Sequence, residues 1–104
     1  MAQYDVYANP QKANSAQFPY VVDIQIDLLD VLATRLVMPM TASATNVKLP
    51  PRLYPSFQIE GGTFYAVPQL TAPMLAKQLK KPVDTLRYQA SQILSALDAV
   101  TSGI

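Results

Sequence analysis

The sequence predicts an α+β domain in which short antiparallel strands precede one C-terminal helix. Three observations carry this. Apolar and polar residues alternate with a period of two through the early part of the chain, most clearly in "FPYVVDIQIDLLD". Two alternating runs meet at Glu60, Gly61 and Gly62, a hairpin signature. From about Val83 the apolar period lengthens to that of a helix. Strands followed by a helix is the order of a sheet with a helix packed on it.

Taken in order, "QYDVY" alternates and forms a first strand, and the small, polar "ANPQKANSAQ" makes residues 8–17 a loop. The run from Phe18 then places Phe18, Tyr20, Val22, Ile24, Ile26 and Leu28 on a core face. Pro19, Val21, Asp23, Gln25, Asp27 and Leu29 fall on the outer face; because Leu28 and Leu29 are adjacent, one of them must leave the core. "TRLVMPM" is a strand from Thr34 to Met40, with Pro39 required at an edge, a bulge or the strand's end, since it donates no ladder hydrogen bond. "TASATNVKLPPRLYP" reads as a loop holding at most a small projecting hairpin, "SFQIEGGTFYAV" as a hairpin, and "APMLAKQL" as a strand. Leu86, Ala90, Ile93, Leu97 and Val100 make one helical stripe of about five turns, with Asp84 as N-cap after Pro82. No internal repeat, low-complexity tract or linker interrupts the chain, so residues 1–104 are expected to be a single domain.

Composition narrows the function classes. Half of the residues are hydrophobic and 14% are charged, which is apolar for a small monomer and favours an oligomer interface. A net charge of +1 gives no electrostatic footprint for nucleic acid. The absence of cysteine excludes disulfides and thiolate metal sites, and the absence of histidine removes the usual general base and the commonest metal ligand. Asp27, Asp30, Arg35 and Pro39 cut the longest apolar stretches, so no membrane span is expected, and "MAQYDVYANP" lacks a signal-peptide pattern, so a cytoplasmic location is expected.

No catalytic constellation stands out, and no cofactor or metal is expected. Asp23, Asp27 and Asp30 offer oxygens to a hard cation, but Asp23 and Asp27 would lie roughly 13 Å apart on an outer strand face, where solvation is the better reading. Glu60-Gly61-Gly62 is too short for a phosphate-binding loop. The six tyrosines have no Lys and Arg gathered around them, which favours core and interface roles. The second helix face reads Arg87, Ser91, Ser95, Asp98 and Ser102, small side chains over which a partner surface can approach closely. The ending after Thr101 has two readings: Gly103 as the glycine just past a helix end with Ile104 folding back, or both residues presented to a partner.

Several of these segments together resemble the CcdB family, the toxin halves of toxin–antitoxin modules. Val22, Asp23, Gln25, Asp27, Leu28, Leu29 and Asp30 carry a Val-Asp-x-Gln-x-Asp-aliphatic-aliphatic-Asp pattern. Arg35 to Pro39 carry Arg-aliphatic-Val-aliphatic-Pro, Leu53, Tyr54 and Pro55 carry Leu-Tyr-Pro, and the C-terminal helix ends in Gly-Ile. The resemblance implies a small SH3-like antiparallel β-barrel or sheet with a side hairpin and a C-terminal α-helix. It implies a homodimer that binds the A subunit of DNA gyrase and traps the enzyme on cleaved DNA without doing chemistry itself or binding nucleic acid alone. It also implies a labile CcdA-like antitoxin that wraps the dimer. Carried over, the gyrase-binding residues are Leu28, Leu29, Asp98, Thr101, Ser102, Gly103 and Ile104, and the antitoxin site includes residues 8–17 and 42–52. The chain departs from the familiar ending in having Ser102 where tryptophan precedes Gly-Ile, and a serine cannot stack in a partner pocket. Two alternatives stand beside the gyrase reading. One is a CcdB-like decoy that binds antitoxin without poisoning gyrase. The other is an enzyme like the MazF ribonucleases of the same fold, in which Arg35 or Arg52 would serve with a nearby Thr or Asp.

Overall fold

A computed structural model of the chain describes residues 2–26, 32–42 and 53–102. Among these, the elements are β1 (Asp5–Ala8), β2 (Tyr20–Asp23), β3 (Thr34–Thr41), β4 (Ser56–Ile59), β5 (Gly62–Ala66), β6 (Ala72–Leu75), β7 (Asp84–Thr85) and the helix α1 (Ala90–Ser102). The strands form one antiparallel sheet in the order β4-β5-β3-β2-β1-β7, with β6 also paired to β3. The sheet nearly closes into a barrel with the helix after it, and the α+β class holds. No helix among the described residues is long and apolar enough to cross a membrane.

Registration explains how the core is divided. Val6 pairs with Val22 and Val22 with Met38, a cross-strand row that joins Met40, Phe57, Ile59, Leu86 and Ile93 in the main core. Their sequence neighbours Tyr7, Val21 and Val37 point the other way and pack with Met74 and Leu79 in a second cluster. Both faces of the central strands are therefore covered: one by α1 through Ile93, the other by Leu79 from the connection after β6.

This corrects the reading of the run that begins at Phe18. The alternation exists, but the expected solvent face is buried: Val21 is 2% exposed and Asp23 0%. The strand stops at Asp23, and Ile26, expected in the core, is 49% exposed. Asp23 survives burial because Arg35 Nε, itself in a residue 1% exposed, donates to its Oδ2 at 2.8 Å. The network continues: Gln25 N–H donates to Asp23 Oδ1, Arg35 Nη2 to the Gln25 carbonyl, and Gln25 Nε2 to the Thr34 carbonyl, while Gln25 Oε1 accepts from Leu36 N–H. A charge pair met by this many hydrogen bonds can sit in a core that would reject either ion alone.

Pro39 turns out to lie within a central strand rather than at an edge. β3 pairs with β6 over Thr34–Val37 and with β5 over Met40–Thr41, and Pro39 falls at the hand-over. Its carbonyl accepts from Val67 N–H at 2.9 Å, so the missing donor falls on the side where the β6 and β5 pairings meet. The β4–β5 hairpin forms as expected. Glu60 and Gly61 have φ of 48° and 84°, the pair of left-handed residues that a two-residue turn between twisted strands needs.

The helix begins later than its apolar stripe suggests. Asp84 is not an N-cap: it lies in β7, opposite Val6, and its Oδ1 accepts from Thr85 N–H. Val83 N–H and Leu86 N–H donate to the carbonyls of Val6 and Tyr4, so the open edge of β1 holds this segment extended. A 3-10 turn over Arg87–Gln89 then leads into α1. Leu86 and Ile93 are buried as the stripe requires, and Ala96 joins them. Residues 8–17 are a loop apart from Ala8, and Asn9 organises it: its Nδ2 donates to Asn14 Oδ1 and the Phe18 carbonyl, while its Oδ1 accepts from Gln11 N–H.

Candidate functional site

The last turns of α1 and a 3-10 turn at Pro68–Leu70 enclose a groove of about 580 Å³. Leu97, Asp98, Val100 and Thr101 come from the helix; Leu36, Pro68, Gln69 and Thr71 form the other side. The 3-10 wall is set by the sequence. Pro68 stands at its start, where a missing N–H leaves nothing unsatisfied. Thr71 closes it, with both N–H and Oγ1 donating to the Pro68 carbonyl. Val67, buried beneath, ties the wall to Pro39 of β3.

The groove is apolar with a polar lip. Leu36 lies on the same face of β3 as the core residue Met38, yet it is 37% exposed and lines the groove. Thr101 Oγ1 donates to the Leu97 carbonyl at 2.8 Å, a back-bond that turns the hydroxyl onto the helix and leaves the methyl group outward. Asp98 is exposed on the adjoining position of the helix and supplies the one carboxylate that lines the groove among the described residues.

Of the residues expected to bind gyrase, Asp98 and Thr101 line this groove and Ser102 is the last residue of α1. Leu28, Leu29, Gly103 and Ile104 lie outside the described residues. Leu36, Pro68, Gln69 and Thr71 were not identified from the sequence, although the proline after Val67 was a legible signal for a helical start.

A second concavity, of about 250 Å³, opens beside the first loop. Asn9, Gln11 and Asn14 form its amide rim, and Phe18, Val21, Val37, Pro39 and Met74 form much of the apolar lining. It adjoins part of the expected antitoxin site; of the other part, residues 43–52 lie outside the described residues.

Two chemical alternatives meet obstacles here. Asp23 gives its carboxylate to Arg35, so it has little to offer a cation, and Asp27 and Asp30 lie outside the described residues. Arg35, a candidate ribonuclease residue, is sealed in the core, and Arg52 also lies outside the described residues.

A family model described as CcdB protein matches residues 3–103 of the chain. No curated protein matches it. The match runs from β1 to the end of α1, so the nearly closed barrel, the terminal helix and the groove between them all fall within it. The chain therefore belongs to the CcdB family, whose members are toxins of toxin–antitoxin modules.

Proposed function

We propose that the chain is a type II toxin that acts from the cytoplasm as a homodimer, binds the A subunit of DNA gyrase and holds the gyrase–DNA cleavage complex. It works by binding and carries out no reaction of its own. A CcdA-like antitoxin neutralises it. The observation that carries this reading is the groove at the C-terminal end of α1. Asp98 and Thr101, expected at the gyrase contact, share one apolar depression with Leu36 and Leu97. An apolar centre with a polar lip is the composition of a protein-binding surface. Exposed Leu70 and Leu75, just before and at the end of β6, support self-association.

Titration calorimetry of the purified protein into the breakage-reunion fragment of gyrase A tests the target. Saturable binding is the expected result. A folded dimer that shows no heat at high micromolar concentration would overturn the assignment. It would favour the second reading, a CcdB scaffold that binds antitoxin without poisoning gyrase. The observation behind that reading is Ser102, which lacks the aromatic surface of the familiar tryptophan. The ribonuclease reading loses support from the burial of Arg35.

A further inference from the structure

Half of the eight basic residues fall in one connection: Lys77, Lys80, Lys81 and Arg87 lie between β6 and α1. All four are exposed, and none forms an ion pair among the described residues. Arg87 lies 5.7 Å from the ring centre of Tyr88, which is 87% exposed.

The fold holds the strip in position. Ala76 N–H donates to the Ala33 carbonyl, Leu79 is buried in the second core cluster, and Val83 N–H donates to the Val6 carbonyl. The backbone is anchored at each of these points, and the lysines between them face outward. The acidic groups nearby are Asp84 and Asp5, both half-buried on the β1–β7 ladder, and Asp84 accepts from Thr85 N–H. Within this connection four basic residues stand against one acidic residue, whereas in the rest of the sequence six acidic residues stand against four basic ones, a charge asymmetry along the chain.

We infer that the Lys77–Arg87 strip docks an acidic polypeptide segment of a partner. The charge asymmetry decides between a peptide and a nucleic acid. A long polyanion meets the field of the whole protein, whose net charge is only +1. A short acidic segment meets only the charges within a Debye length, about 8 Å at physiological salt, and on this strip those are largely positive. Arg87 stands three residues before α1, about 10 Å of helix from Leu97, where the lining of the groove begins. None of the four basic residues lines that groove. The inference thus goes beyond the gyrase reading and does not depend on it.

The test is an NMR titration of the isotope-labelled full chain with a glutamate-rich octapeptide, at low and at physiological salt. Saturable shifts are expected at the Lys77, Lys80, Lys81, Arg87 and Tyr88 amides, weakening as salt rises. Affinity is expected to fall about tenfold in Lys77→Glu/Lys80→Glu/Lys81→Glu, with the milder Lys80→Gln/Lys81→Gln variant in between. The circular dichroism of both variants should match that of the parent. Absence of shifts, shifts centred elsewhere, or affinity indifferent to the substitutions would overturn the proposal. So would equal or tighter binding of a single-stranded DNA octamer, which would make the strip a phosphate-binding surface. Gyrase takes no part in this experiment, so its failure and a failure to bind gyrase are separate results.

Discussion

Two carboxylates illustrate opposite uses of charge in this molecule. Asp23 is fully buried and engaged with Arg35, and it holds β2 to β3 at one end of the sheet. Asp98 is exposed on the helix, at the lip of an apolar groove. Both sit in segments that carry the family pattern, yet the physical demands differ. A buried ion needs its partner before anything else, so its substitutions should act on stability. An exposed ion at the rim of a groove costs the fold little, so substitutions around it should act on binding.

The largest expected effect breaks the buried side. Arg35→Met leaves Asp23 charged and unpaired in the core and should lower stability by about 3–5 kcal/mol in urea denaturation. The double variant Asp23→Leu/Arg35→Met removes both charges and should recover most of that loss, because apolar pairs of similar volume replace buried ion pairs at little net cost. If the double variant is as unstable as the single one, the hydrogen bonds from Gln25 and Arg35 matter more than the charge itself, and the contrast with Asp98 becomes one of hydrogen bonding.

The second effect lies on the groove side. Deleting residues 102–104 should leave the urea midpoint nearly unchanged while weakening gyrase A binding by about a hundredfold or more, the scale of losing a hot-spot contact. Unfolding of the truncated protein would instead make the ending structural. Ser102→Trp sharpens the same point from the other direction. Restoring an aromatic anchor before Gly103 should tighten binding by about tenfold in calorimetry, with no change in stability. Unchanged affinity would mean that this chain engages its target through the groove residues alone.

What was legible in the sequence follows the same division between local and long-range causes. The β4–β5 hairpin could be read because Glu60-Gly61 fixes it locally through two positive φ angles. β3 and the apolar stripe of α1 could be read because periodicity is a local property. The burial of Val21 could not be read, because it packs with Leu79, which arrives from a distant segment on the second face of the sheet, and that of Asp23 could not be read because its partner Arg35 comes from the next strand. Asp84 was misread for a similar reason. Aspartate after proline and before an apolar stripe has the look of an N-cap, but the unsatisfied edge of β1 captures it as β7. The groove was half legible: Asp98 and Thr101 came from the helix pattern, whereas Leu36 and Pro68 reach it only through the sheet. The basic strip was readable as composition, but its outward display depends on how Leu79 and Val83 are anchored.

The smallest effect concerns a third carboxylate, between these extremes. Tyr20 Oη donates to Glu60 Oε1 at 2.6 Å across the sheet, near the surface. The hydrogen bond to Glu60, then burial, then the charge of Glu60 raise the Tyr20 pKa above that of a free tyrosine. All three favour the neutral phenol in the folded state. The resulting stabilisation is complete below the ordinary tyrosine pKa and is lost as pH rises through the higher folded value. Tyr20→Phe should therefore cost only about 0.5 kcal/mol at neutral pH, the low end for a net hydrogen bond, since water can replace the phenol at Glu60. The informative measurement is stability against pH in both proteins. The parent should lose stability above the ordinary tyrosine range more steeply than Tyr20→Phe, and the two curves should converge there. Parallel curves would show that the Tyr20–Glu60 bond contributes nothing that titrates. Exposure would then govern the energetic weight of this carboxylate as it does that of Asp98, and only the sealed pair at Asp23 would couple charge to the fold.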